Sequence, residues 1–221
     1  MAGVYAPDDV GDNAEDVKVL SGNGRRGETE TLILLRMAKF DLRVASEEDL
    51  PKIRELIEAS VRGLQTGDYT PAQIEASLKT VFTTDSQLIA DGTYFVASTE
   101  EGEIAGCGGW SRRKTLYGGD HQMEKIEREL LDPAVDAAKV RAIFVHPRFA
   151  RMGLGGLILK AAEQAAADAG FLRFEMGSTL TGVALYSLKG YREMERVRVP
   201  VGDGEQIEVV RMVKHMDDGR F

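Results

Sequence analysis

Val145-His146-Pro147-Arg148-Phe149-Ala150-Arg151-Met152-Gly153-Leu154-Gly155-Gly156-Leu157-Ile158-Leu159-Lys160 is the stretch on which the fold turns. An apolar run with strand character, residues 140–145, leads into it. Residues 154–169 lead out of it and place Leu154, Leu157, Ile158, Ala161, Ala162 and Ala165 on one helical face. Between them lies a turn rich in Arg and Gly. The start of a helix carries unpaired backbone N–H groups and a partial positive charge. Glycines there let a ligand approach the backbone closely, and Arg151 adds a full charge. Strand, glycine turn and helix start, in that order, make a cradle for a pyrophosphate.

Three glycine-rich patterns compete for this role. A Walker loop requires Gly-Lys-Ser/Thr after four residues, which is absent here. A dinucleotide fingerprint counted from Gly153 would need Gly or Ala where Ile158 stands. What remains is Arg/Gln-x-x-Gly-x-Gly/Ala. The run from Ala150 to Gly155 fits it with one departure: Ala150 occupies the Arg/Gln position, and Arg151 lies one place later. A second motif follows about 30 residues on, Leu185-Tyr186-Ser187-Leu188-Lys189-Gly190-Tyr191, with strand-like sequence between.

These two runs resemble motifs A and B of the GNAT superfamily, the GCN-five-related N-acetyltransferases. The resemblance extends over residues 40–216 and is motif-specific in 140–191. It implies an α/β (α+β) fold with a mixed, mostly antiparallel central sheet, flanked by helices and splayed at the coenzyme site. It also implies transfer of an acetyl group from acetyl-CoA, a co-substrate, to a primary amine of a small molecule, peptide or protein. By that resemblance Arg151 and the backbone N–H groups of Met152, Gly153, Leu154, Gly155 and Gly156 hold the coenzyme phosphates. The main chain of Ile143, Phe144 and Val145 pairs with the pantetheine arm and polarises the thioester carbonyl. Tyr186 stands where the family places the acid that protonates the departing sulfur. Thr179 replaces the Asn common seven residues before that Tyr. The elements near residues 113–136 correspond to ones that help shape the family's acceptor site. No metal is implied.

Apart from the motifs, a Tyr on an amphipathic helix packs by its ring. A non-catalytic acetyl-CoA sensor or interaction module is therefore the alternative reading, and the motifs read the coenzyme and not its acyl group. Candidates for a base are few. Glu175 lies on the strand after the coenzyme helix, Asp120 and His121 in a polar loop, and His146 in a His-Pro turn. Each also has an ordinary role as a strand-edge charge, a solvated loop or a turn former. Trp110 reads equally as acceptor-pocket wall or core anchor. Arg112, Arg113 and Lys114 read as a solvated edge or as an anion contact. Cys107 reads as a small buried residue, with no paired His.

The chain has 221 residues, enough for one domain with a substantial core. Its net charge of −8 argues against general nucleic-acid affinity and mildly favours cationic small substrates. The single Cys107 excludes an internal disulfide and, without a secretory signal, points to the cytoplasm. The early apolar run Leu32-Ile33-Leu34-Leu35 is too short to span a membrane. His121, His146 and His215 show no metal-ligand spacing. A homodimer is compatible with the family resemblance.

Residues 1–36, acidic and glycine-bearing, read as a disordered or loosely attached extension, and 37–217 as the N-acetyltransferase domain. Within the domain the pattern predicts a strand at 39–44 and an amphipathic helix from Ser46-Glu47-Glu48-Asp49 to about 63. A second helix runs from Pro71 to about Phe82 with Thr70 as its cap. A hairpin follows at 93–112, then a polar stretch with helical character at 123–131, and the central strand at 139–145. Beyond the coenzyme helix come a strand at 172–176, a helix at 182–188 and a hairpin turning at Gly202-Asp203-Gly204.

Overall fold

The computed structural model describes residues 35–37, 40–114 and 129–216. The expectations for residues 1–34, for Asp120 and His121, and for most of the helical stretch at 123–131 lie outside them.

The chain runs β1 (Leu35–Met37), β2 (Phe40–Val44), α1 (Leu50–Leu64), α2 (Pro71–Leu78), α3 (Ser86–Ala90), β3 (Tyr94–Ser98), β4 (Ile104–Ser111), β5 (Ala138–Val145), α4 (Leu154–Asp168), β6 (Arg173–Thr179), α5 (Val183–Leu188), β7 (Arg192–Gly202) and β8 (Glu205–His215). The eight strands form one sheet in the order β1-β2-β3-β4-β5-β6-β8-β7. All neighbours are antiparallel except β5 and β6. Leu35 and Arg36 pair with Leu42 and Asp41, so the sheet begins ahead of Met37.

Both faces of the sheet are covered. On one side Leu154, Ile158, Ala161, Ala162 and Ala166 of α4 pack on β4 and β5 with Phe171 and Trp110. On the other, Ile53, Leu56, Ile57 and Val61 of α1 pack with Tyr94, Cys107 and Phe144. Strand β4 is buried along its whole length, which requires small residues where α4 crosses it. A Cβ at Gly106 would lie 2.8 Å from Ile158 Cδ1, and one at Gly108 only 2.9 Å from the Ile143 Cα. Glycine at these places lets helix and strand meet.

Several boundaries differ from the sequence reading for local reasons. A 3₁₀ turn, Glu47–Asp49, precedes α1, and Asp49 closes it by accepting from the Ser46 N–H at 2.8 Å. Thr70 caps α2 through the Gln73 N–H as expected, but the helix stops at Leu78 and not near Phe82. There the Ser77 carbonyl accepts from the N–H groups of Thr80, Val81 and Phe82, turning the chain inward. The short α3 was not foreseen; Asp85 caps it by accepting from the Leu88 N–H. Leu130 bridges to Arg113 as extended chain, correcting the helical reading at the end of 123–131. Strand β6 continues to Thr179, and a 3₁₀ turn, Leu180–Gly182, precedes α5. The last hairpin is longer than expected. It turns on Asp203 and Gly204, both at positive φ, as a two-residue primed turn requires.

Candidate functional site

The sheet opens in its middle. Parallel pairing of β5 with β6 is confined to Ala138 with Phe174 and Lys139 with Glu175. Beyond these pairs the strands diverge. On its other edge β5 bulges: the pairing register with β4 shifts between Cys107 and Gly109, so that Ala142 and Ile143 together face Gly108. Ala142 takes up the extra residue in a left-handed conformation, φ 53°. The Tyr94 hydroxyl, from β3, donates to the Ala142 carbonyl at 3.0 Å and holds the bulge.

A cavity of about 100 Å³ fills the opening. Its walls include Val140, Arg141, Ala142, Ile143 and Phe144 of β5, and Met176, Gly177, Ser178 and Thr179 of β6. Tyr186 of α5 also lines it. So do Gln65, Val81, Phe82 and Thr83 from around α1 and α2, and Val199, Ile207 and Val209 of the last hairpin. The Tyr69 hydroxyl ties these parts together, donating to the Glu208 carbonyl at 2.7 Å and accepting from the Leu180 N–H at 3.0 Å.

Tyr186 is 9% exposed, and its ring meets Tyr191 edge-on at 6.1 Å. Burial pushes its hydroxyl up to about 12, so it stays protonated at neutral pH.

The glycine turn sits past the end of β5, after a 3₁₀ turn at Pro147–Phe149. Arg151 (φ 63°) and Gly153 (φ 84°) are both left-handed, and Arg151, Met152 and Gly153 are exposed. The first intrahelical bond of α4 runs from the Leu157 N–H to the Gly153 carbonyl, and no side chain caps this end. The N–H groups of Leu154, Gly155 and Gly156 therefore precede the helical ladder, although the Leu154 side chain is buried in the core. A Cβ at Gly155 would lie 2.9 Å from Leu185 Cδ2 and 3.9 Å from Val145 Cγ2. The first turn of α4 thus closes against the end of β5 and against α5, the helix that carries Tyr186. A Cβ at Gly156 would lie 3.7 Å from Lys189 Nζ, so an ammonium group stands beside the turn as a second cation. An exposed helix start with Arg151 and Lys189 beside it fits a phosphorylated ligand.

A model of the acetyltransferase (GNAT) family matches residues 58–191, most of the chain. The chain belongs to this family. Solved structures agree with the fold. A GCN5-related N-acetyltransferase from Rhodopseudomonas palustris has a TM-score of 0.60 at 21% identity, covering 82% of this chain and 99% of its own. The PaiA N-acetyltransferase from Thermoplasma acidophilum, in complex with coenzyme A, has a TM-score of 0.54 at 14% identity, covering 80% and 98%. No curated protein is similar enough to this GNAT chain to count as a relative.

Of the residues predicted from sequence, the structure brings Ile143, Phe144, Thr179 and Tyr186 to one cavity. Val145, Arg151, Met152, Gly153, Leu154, Gly155 and Gly156 lie at the adjoining turn. Of the base candidates within the described residues, Glu175 and His146 do not join them. Burial alone would raise the Glu175 carboxyl, but hydrogen bonds from Lys139 and Arg211 outweigh it and hold it below the usual range. It is a buried structural carboxylate. His146 caps the 3₁₀ turn, its Nδ1 accepting from the Arg148 N–H at 3.2 Å. Trp110 is core, packed edge-on against Phe171 at 5.8 Å. Arg113 pairs with Asp91 at 2.8 Å and Lys114 with Glu129 at 2.7 Å. Cys107 is fully buried, and desolvation pushes its thiol up to about 12. Among the described residues no group of His, Cys, Asp and Glu could hold a metal, and no helix is long and apolar enough to cross a membrane. Gln65, Phe82 and Arg141 were missed, because no local pattern marks a residue as facing a gap between distant strands.

Proposed function

We propose that this chain transfers an acetyl group from acetyl-CoA to a primary amine by direct attack. The observation that carries the reading is the juxtaposition at Gly155: the phosphate-type turn, the open end of β5 and the helix bearing Tyr186 meet there. Arg151, Lys189 and the first N–H groups of α4 hold the coenzyme phosphates. The main chain of Ile143 to Val145, freed from β6 by the splay, pairs with the pantetheine arm. It also presents an N–H to the thioester oxygen as charge develops there. Thr179 lines the wall opposite. Acetyl-CoA supplies the activated acetyl group.

Tyr186 gives its proton to the departing sulfur. It recovers one from the nitrogen that has acquired the acetyl group. The N–C bond forms, the C–S bond breaks, and the protein ends as it began. A hydroxyl raised to about 12 by burial is a weaker acid than free tyrosine, yet it carries the proton that the thiolate takes up as it leaves in the same cavity.

Calorimetric titration of acetyl-CoA and CoA into the full chain tests the reading, beside Arg151→Glu. Binding in the micromolar range that the variant loses supports it. A folded wild type that binds neither coenzyme overturns it, leaving the glycine turn as architecture.

A further inference from the structure

We propose that the acceptor is a small apolar monoamine and that Gln65 receives its N–H; this rests on the acetyltransfer reading above. Apolar side chains, among them Val81, Phe82, Val199 and Ile207, share the wall of the cavity with Thr83 and Ser178. Among the described residues no carboxylate lines it, and Arg141 is the one charged side chain that does. Arg141 is itself buried and paired with Asp85 at 2.8 Å. An acceptor carrying a second ammonium group would bring that charge into a pocket whose one charged side chain is already paired, with no carboxylate at its wall among the described residues, at a large desolvation cost. An alkyl or aryl substituent gains from the same wall.

Gln65 supplies the polar contact. It is 5% exposed, and its Oε1 has no hydrogen-bond partner among the described residues. Its backbone is held on both sides: the N–H donates to the Val61 carbonyl at 3.2 Å, and the carbonyl accepts from Asp68 and Tyr69 at 3.1 and 3.0 Å. A buried amide oxygen without a donor carries a standing cost, which a ligand N–H removes. A largely apolar wall disfavours ammonium and favours the neutral amine, which is the nucleophile.

The test is acetyl-CoA-dependent thiol release by the full chain at one pH. The acceptors are 3-methylbutylamine and 2-phenylethylamine, against 1,4-diaminobutane and spermidine. The apolar monoamines are expected to exceed the diamine and polyamine by about tenfold or more in kcat/KM. Gln65→Leu is expected to raise the monoamine KM by roughly five- to tenfold with the acetyl-CoA KM unchanged. Gln65→Glu adds an anion and is expected to narrow the preference against diamines. Preference for the cationic acceptors overturns the inference. So does an unchanged amine KM in both variants, or thiol release that no monoamine accelerates although acetyl-CoA binds. Failure of acetyl-CoA to bind is a different result: it removes the transferase reading, and this inference with it.

Discussion

The Tyr94 hydroxyl donates to the Ala142 carbonyl at 3.0 Å, so a buried tyrosine of β3 reaches across β4 to fix the bulge in β5. The same oxygen lies 3.2 Å from Cys107 Sγ, and this group sits inside the core. The bulge lies where β5 has left β6, and the parted strands wall the cavity. Removing the hydroxyl leaves the Ala142 carbonyl short of a donor. Tyr94→Phe is expected to lower stability by about 1–3 kcal/mol, read as a lower urea midpoint at unchanged slope. An unchanged midpoint would show that the bulge does not need this bond.

Gly108 makes the opposite face of the bulge. An alanine there places its Cβ 2.9 Å from the Ile143 Cα and 2.9 Å from Ile158 Cγ2, and backbone cannot yield cheaply. Gly108→Ala is expected to cost about 1–3 kcal/mol through overpacking. The same denaturation series checks it, with Gly102→Ala as a control for positive φ in open space.

Tyr186 has a hydroxyl raised to about 12 by burial, above the ordinary tyrosine value. An acid must be protonated to act, so its catalytic form persists through the alkaline range. The kcat profile is expected to show no falling limb near pH 10, where an exposed tyrosine would ionise. Tyr186→Phe is expected to lower kcat by about 10²-fold or more while the acetyl-CoA Kd changes little. Equal kcat in the two proteins would assign Tyr186 to packing.

Acid stability is set partly at Asp49. Arg43 Nη1 and Nη2 each donate to it at 2.7 Å, and with the Ser46 N–H they lower its carboxyl to about 2 despite partial desolvation. A carboxyl depressed in the folded state stabilises above its unfolded value, and that contribution fades as pH falls through the folded one. Asp49→Asn is expected to cost about 1–2 kcal/mol at pH 7, a figure reduced because solvent screens the exposed side of Arg43. The gap between variant and wild type is expected to close between pH 4 and pH 2. Urea midpoints at pH 7, 4 and 2 measure it, and a gap constant with pH would refute the assignment.

The two motifs, the helix start at Leu154 and the Tyr on α5 were legible because each is written in contiguous residues. Glycine spacing, a run of period 3.6 and a capped Thr70-Pro71 act within one or two turns of chain, and their physics is local. The fold class followed from those same signals. End points were less legible. Strand β6 runs on to Thr179 because β8 pairs with it through Val209, and α2 stops at Leu78 because the Ser77 carbonyl gathers three N–H groups.

Residues with two sequence-level readings were settled by packing. Trp110 became core because Phe171 lies against it, and Glu175 became structural because Lys139 and Arg211 converge on it. By itself, then, the sequence determined a phosphate-type turn between a strand and a helix, and a tyrosine in register behind it. Only the tertiary structure decided what faces that tyrosine. Gln65, Phe82, Arg141 and Val199 meet at one cavity from four separate segments. Their meeting depends on long-range strand pairing, on the bulge at Ala142 and on the Tyr69 and Tyr94 hydroxyl bonds, and none of these leaves a periodic trace in neighbouring residues.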